Sequence, residues 1–296
     1  MTAPSWDHCR AALAVLEEGS LSAAARALGL TQPTIGRQIA ALEETLGVVL
    51  FTRSQAGLTP TEAGLALRPY AEALRATASA LERAVTAAGE GVAGTVRITA
   101  SEVVGGEVLP PILARLHEAH PALTLELVLS DRVQDLLRRD ADIAVRMTAP
   151  LQAALLARKV GSVRLGLHAH RRYLDRRGTP AAAADLPRHS LIGFDAETAF
   201  LRSMRIEGVD FDRALFAWRS DSALAQLAAI RAGFGIGVCQ AALAARNPDL
   251  VPVLPEIRWD LPTWIVMHED LRHLRRYRVA FDALAEGLTD YCARTP

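Results

Sequence analysis

Residues 20–43 read Ser20-Leu-Ser-Ala-Ala-Ala-Arg-Ala-Leu-Gly-Leu-Thr-Gln-Pro-Thr-Ile-Gly-Arg-Gln-Ile-Ala-Ala-Leu-Glu43, and this stretch decides how the chain folds. Its first part, 22–28, is alanine-rich and can pack closely as a helix. Gly29 stops that helix, since glycine takes positive φ without steric cost. Thr31 then stands where an N-cap belongs, with a side-chain oxygen that accepts from an orphan amide of the next turn. Pro33 sits in that turn, where its missing N–H does no harm. Two short helices joined by a tight turn, the second opening on small polar residues, are the layout of a helix-turn-helix. The second helix of that motif reads DNA in the major groove.

Upstream, residues 6–16 place Cys9, Leu13 and Leu16 at helical spacing, so a first helix ends near Gly19. In the reading helix Ile35, Ile39, Leu42 and Leu46 fall on one face and are expected in the core. Gln32, Thr34, Arg37 and Gln38 are left outward. Glutamine can bond adenine twice, arginine can bond guanine or phosphate, and a threonine methyl can meet thymine. The alternative is an ordinary solvated helix face, which polar residues alone would favour.

The flanks weigh against that alternative. Residues 48–51 and 57–59 pattern as a small two-stranded wing with Arg53 at its tip, in reach of phosphate. Thr59-Pro60-Thr61-Glu62 reads as a capping box with proline at the first helical position. The long helix it launches, to about Ala88, repeats Leu67, Tyr70, Leu74, Thr77, Leu81, Ala84 and Ala88 at heptad spacing. One apolar stripe needs a partner, and a second copy of the chain is the simplest, because dimers suit operators with two half-sites. The stripe could otherwise pack on its own domain. The candidate DNA contacts are Ser22, Thr31, Gln32, Pro33, Thr34, Arg37, Gln38, Arg53 and Thr59.

Bulk composition sets limits on function. With 296 residues, 50% of them hydrophobic and 22% charged, the chain can build two or three domains and a sizeable core. The formal net charge is zero, so any nucleic-acid contact must be local. Cys9, Cys239 and Cys292 have no metal or redox spacing and read as small apolar residues in a reducing compartment. The N-terminus lacks the pattern of a signal peptide, and no apolar run reaches membrane-spanning length, so the protein is expected in the cytoplasm without a membrane partner.

Beyond Gly89, Gly91 and Gly94 the pattern alternates. Strands are expected at 95–100, 123–129, 143–145, 163–168, 191–194, 205–206, 214–218, 236–239 and 264–267. Helices are expected at 108–117, 133–138, 222–232 and 277–291. This is the signature of an α/β domain with a largely parallel sheet. Ligands in such sheets collect beyond the carboxyl ends of strands, near helix N-termini. That puts Ser101, Glu102, Ser130, Asp131, Arg146, Thr148, Phe194 and Asp195 at a candidate cleft, with Ser220, Asp221 and Ser222 ahead of a helix. Hydroxyls and Arg146 can hold a small carboxylate. Equally, residues 220–222 can simply cap a helix, and Arg146 can pair with Asp142. Glu102, Asp131 and Asp195 suit an amine, an amino acid or a neutral aromatic compound better.

Enzyme readings fare poorly. Gly233-Phe-Gly-Ile-Gly lacks the spacing of a dinucleotide loop and follows a helix instead of a strand. His117 and His120, or His168 and His170, have neither a zinc-protease spacing nor cysteine partners. There is no nucleophile elbow. No cofactor is implied. A pure solute-binding protein would need an export signal and no N-terminal DNA module. A further rival keeps that module and makes the C-terminal part a plain oligomerisation domain.

The segments Glu18-Gly-Ser-Leu-Ser-Ala-Ala-Ala, Gln32-Pro-Thr, Arg37-Gln-Ile, Ala41-Leu-Glu-Glu-Thr-Leu-Gly, Leu50-Phe-Thr-Arg and Leu58-Thr-Pro-Thr-Glu-Ala-Gly together resemble the winged helix-turn-helix and linker helix of the LysR-type transcriptional regulators. Leu109-Pro-Pro, His120-Pro, Asp142-Ile-Ala-Val-Arg, Arg231-Ala-Gly-Phe-Gly-Ile-Gly and Trp264-Ile-Val-Met-His resemble that family's effector domain, itself similar to periplasmic solute-binding proteins. The resemblance implies an α/β protein overall. It has an all-α winged helix-turn-helix at 1–60, a linker and dimerisation helix with hinge at 61–91, and a two-subdomain, periplasmic-binding-protein-like (type II) effector domain at 92–296. Its subdomains would be 92–161 with 266–296, and 162–265. The implied partners are promoter DNA, a small-molecule effector and further copies of the chain, as a dimer or tetramer, with a contact to RNA polymerase compatible with this role.

Two departures bear on affinity. Gly36 stands where the family often has serine, and the wing offers only Arg53. Residues 1–91 carry seven arginines against nine acids. The phosphate-binding contribution is therefore expected to be modest, with affinity leaning on dimer avidity.

Overall fold

The computed structural model describes residues 4–54, 57–85, 92–130, 141–149, 155–196, 204, 206, 209 and 213–294. It separates into two compact units, one built on the N-terminal 88 residues and one on most of the remainder.

The first unit opens with α1 (Trp6–Glu18), α2 (Leu21–Leu28) and α3 (Gln32–Leu46). The local signals place their ends. The Ser20 hydroxyl oxygen accepts from Ala23 N, Gly29 closes α2 in the left-handed region at φ 66°, and Thr31 Oγ1 accepts from Thr34 N. Leu13, Ile35, Leu42 and Leu50 are fully buried, and Ala11, Ala12, Ala24 and Ala25 let the helices approach closely. Each such leucine or isoleucine contributes about 1.5–3 kcal/mol by leaving water. Leu46 departs from the expected core face and is 38% exposed. It is the last residue of α3, the chain leaves it through Gly47, and Leu50 at the foot of the wing closes the core instead.

The wing pairs β1 (Phe51–Ser54) with β2 (Gly57–Pro60) in antiparallel register. Its first strand starts later than the sequence suggests, leaving Val48 and Val49 exposed outside it. Glu43 accepts from Leu50 N at 2.6 Å and Phe51 N at 3.2 Å and so ties the strand's entry to α3. The long helix α4 (Glu62–Val85) follows. Its cap is Thr61 rather than Thr59: Thr61 Oγ1 accepts from Gly64 N at 3.1 Å and donates to Val49 O at 2.7 Å. Pro60 faces Phe51 as the end of the hairpin, so it cannot serve as a first helical residue. Arg68 donates to Leu16 O at the end of α1, and Arg75 pairs with Glu17 at 2.8 Å, which fixes α4 on the helix-turn-helix. Of the heptad stripe, Leu67 packs on the core, whereas Tyr70, Leu74 and Leu81 are 72%, 45% and 64% exposed. The side chains of Ala84 and Ala88 lie outside the described residues.

The second unit runs β3 (Gly94–Ala100), a π-helical turn (Val104–Val108), α5 (Leu109–Ala119), β4 (Leu123–Leu129), β5 (Ile143–Arg146) and β6 (Leu155–His170). It continues with α6 (Arg171–Arg177), β7 (Leu191–Gly193), β8 (Phe216–Arg219), α7 (Ala223–Arg231), β9 (Ile236–Gln240), α8 (Ala241–Ala244), β10 (Leu250–His268) and α9 (Arg275–Ala293). The strands form one sheet in the order β4-β3-β5-β10-β6-β9-β7-β8. The sheet is mixed, which corrects the expectation of a largely parallel one. The outer groups β4-β3-β5 and β9-β7-β8 are parallel. Between them β6 and β10 run antiparallel over almost their whole lengths. Both long strands carry the chain across the sheet, so the unit has two lobes joined by two crossings. One core gathers Ile98, Leu109, Ile143, Ile265, Tyr277 and Leu284; another gathers Tyr173, Leu186, Leu191, Ile236 and Val253.

The helix expected at 133–138 and Arg205 of the strand at 205–206 lie outside the described residues; Ile206 forms an isolated bridge with Val209. No described helix is long and apolar enough to cross a membrane.

Candidate functional site

The first candidate surface is the N-terminal turn of α3. Ser22, Thr31, Gln32, Pro33 and Arg37 are exposed, and Thr34 and Gln38 are half-buried. The Ser22 hydroxyl lies 3.0 Å from Gln32 Oε1, so α2 steadies the first side chain of α3. Thr31 Oγ1 and Thr34 Oγ1 are 2.8 Å apart and hold the cap together. Arg37 makes no hydrogen bond or ion pair with a described residue, which leaves its guanidinium free for phosphate or a base edge. Arg53 was expected at the wing's tip but stands within β1, opposite Leu58. Thr59 is exposed in β2, and its carbonyl accepts from Thr52 Oγ1 at 3.3 Å.

Gly36 faces open space: a Cβ built there meets nothing within 4 Å. Its backbone is helical, so glycine brings only its entropy cost. Gly36→Ala should therefore stabilise the unit by about 0.5–1 kcal/mol. A thermal melt that rises by a few degrees meets this expectation; a fall would mean an unseen constraint at Gly36.

The second candidate site lies at the strand ends of the second unit. Ser101 follows β3, Ser130 N donates to Ala100 O at 2.9 Å, and Thr148 is exposed after β5. The opposite lobe contributes Phe194, Asp195, Asp221 and Ser222. Glu102 and Ser222 are brought together across the lobes: Glu102 Oε2 accepts from Ser222 Oγ at 2.8 Å and from Leu224 N at 3.3 Å. Ser222 Oγ also accepts from Ala225 N, so it caps α7 as well. Asp221 Oδ1 accepts from Asp195 N and Ala196 N, and the Asp195 carboxylate pairs with Arg213 at 2.7 Å. Asp131 lies outside the described residues.

Arg146 is the main correction among these residues. It is only 4% exposed and donates to Val145 O at 3.0 Å and Thr99 Oγ1 at 2.9 Å. It is built into its own lobe instead of standing open to a ligand. Asp142, its alternative partner, accepts from Arg97 N at 2.8 Å.

Sequence reasoning missed a second bridge between the lobes. Glu107, in the π-helical turn, forms a two-point pair with Arg231 at the end of α7, at 2.6 and 2.9 Å. The arginine holds the Glu107 carboxyl below its ordinary range, and the carboxylate raises Arg231 in return. Arg246 donates to Glu107 O and lies over the Tyr291 ring, while Tyr291 Oη donates to Gln240 Oε1 at 2.6 Å. Burial pushes the neighbouring Cys239 thiol up to about 12. The one sequence signal was Gly105-Gly106, which interrupts the helical pattern where the π turn forms.

The glycines of 231–237 serve packing. Gly233 takes the left-handed conformation at φ 70° after α7, and a Cβ on Gly235 would lie 1.9 Å from Ser190 O. Among the described residues no group of three or more His, Cys, Asp or Glu side chains is placed to hold a metal ion.

Residues 6–65 match the family described as bacterial regulatory helix-turn-helix protein, lysR family, and residues 89–289 match the LysR substrate binding domain. An HTH-type transcriptional regulator of Xanthomonas campestris pv. campestris (strain 8004) is 35% identical over 175 residues, covering 59% of this chain and 51% of that protein. The chain thus spans about half the length of that relative. The probable HTH-type transcriptional regulator LtrA of Klebsiella pneumoniae is 28% identical over 289 residues, covering 92% of this chain and 91% of its own. Among solved structures, CrgA from Neisseria meningitidis, described as a LysR-type transcriptional regulator, aligns with a TM-score of 0.61 at 26% identity, covering 97% and 99% of the two chains.

Proposed function

The chain belongs to the LysR family of bacterial transcriptional regulators, and from this premise we propose that it is a promoter-binding switch controlled by a small molecule. The observation that carries the reading is the exposed polar turn of α3, with Gln32 and Arg37 outward above a face buried through Ile35, Ile39 and Leu42. In this reading residues 1–60 bind DNA in the cytoplasm and 61–91 pair two subunits through the exposed stripe of α4. Residues 92–296 sense the effector between lobes made of 92–161 with 266–296, and of 162–265. Two such dimers can join as a tetramer, and RNA polymerase is a further partner of this arrangement. An effector acts by binding one arrangement of lobes and subunits better than another.

Selection of bound fragments from genomic DNA, followed by titration against salt, tests the proposal. The expected outcome is a small set of promoter fragments, bound with a salt slope shallower than about −6 because the DNA-binding unit is slightly acidic. Recovery of random fragments would mean that phosphate contacts alone hold the DNA, and a much steeper slope would overturn the expectation of a modest phosphate contribution.

A further inference from the structure

Four carboxylates lie near the two bridges between the lobes, and three of them are held by an arginine or by a pair of backbone N–H groups. Glu107 pairs with Arg231, Asp195 pairs with Arg213, and Asp221 accepts two backbone N–H groups. Glu102 differs in joining the two lobes with no described arginine as its partner. Only its Oε2 is used, by Ser222 Oγ and Leu224 N of the opposite lobe. Its Oε1 takes no hydrogen bond from any described residue, and Glu102 forms no ion pair with one. The arginine expected to offer positive charge here, Arg146, is buried in hydrogen bonds to Val145 and Thr99.

A carboxylate with one oxygen anchored and one open is a directed acceptor. A ligand ammonium or other cationic nitrogen gains a charge-assisted hydrogen bond to it. A ligand carboxylate brought to the same place meets like charge, which is rejection by repulsion. We propose that Glu102 selects the effector, a small molecule that presents a cationic nitrogen to Glu102 Oε1. The same carboxylate remains on Ser222 and Leu224, so the bound ligand is felt directly at the N-terminal end of α7. This assignment rests on the cleft of the second unit being the effector site.

The test uses the full-length protein and pairs of amines and carboxylates on one carbon skeleton: benzylamine with benzoate, cyclohexylmethylamine with cyclohexanecarboxylate, and pentylamine with pentanoate. Thermal shift and calorimetric titration are run at constant ionic strength on wild type and Glu102→Gln. Glutamine keeps an oxygen for Ser222 and Leu224 but turns an N–H₂ group toward the ligand. Wild type should be stabilised by amines and not by their carboxylate partners, and Glu102→Gln should lose amine affinity by at least about tenfold. Three results would each overturn the proposal: carboxylates stabilising wild type as well as amines do, amines binding both proteins alike, or no amine in the panel shifting wild type. Failure of wild type to select promoter fragments is a separate observation, and it would count against the regulatory reading itself.

Discussion

Replacing Gln32 and Arg37 together by alanine should lower affinity for a selected promoter fragment by at least about a hundredfold, since each good two-point contact to a base is worth about 1–3 kcal/mol. Both side chains stand on the exposed turn of α3, and neither belongs to the core that Leu13, Ile35, Leu42 and Leu50 form. Alanine is a better helix former than either residue, and Thr31 still caps the helix. The melting temperature should therefore hold while sequence discrimination disappears. Fluorescence anisotropy with the selected fragment and a scrambled one separates the two terms, because phosphate contacts survive on both DNAs. A double variant that still prefers the selected fragment as wild type does would remove α3 from the reading role. One that melts early would show that Gln32, through its bond to Ser22, supports the fold itself.

The parts of this fold legible in the sequence are those governed by local chemistry. Ser20, Gly29, Thr31 and Pro33 act within one turn of their own positions, so the helix-turn-helix could be read residue by residue. Thr61 shows where this stops. Its rival Thr59 satisfies the same local rule, and only the hairpin register, Phe51 opposite Pro60, decides between them. The same limit hid the crossing strands. A period of two marks a half-buried strand but not its direction, and the outward arginines and acids of β6 and β10 shortened the apolar runs that marked them. The two lobe bridges are less legible still, since Glu102 and Ser222 stand 120 residues apart and Glu107 and Arg231 stand 124 apart. Arg146 fails for a related reason. Its place after a strand suggested an open cation, and only packing shows it folded back onto Thr99.

If α4 pairs two copies as proposed, Leu74→Glu with Leu81→Glu should leave the protein monomeric and weaken binding to a fragment with two half-sites by about a hundredfold or more, the scale of avidity from linked sites. The two leucines lie seven residues apart on one stripe of α4, exposed in a single chain and outside the core of the first unit. In a heptad pairing each meets its counterpart on the second copy, so glutamate brings like charges together where apolar surface was to be buried. The fold of each subunit should survive, because neither leucine belongs to the buried core. The dependence on dimerisation follows from the charge balance. Seven arginines face nine acids over residues 1–91, so one copy has little general attraction for DNA to fall back on. Sedimentation across a concentration series and titration of fragments carrying one or two half-sites test both links. The variant should bind a single half-site as weakly as wild type does and gain nothing from the second. A variant that sediments as a dimer would place the pairing surface elsewhere. A monomer that keeps full affinity would mean that one copy reads the site alone.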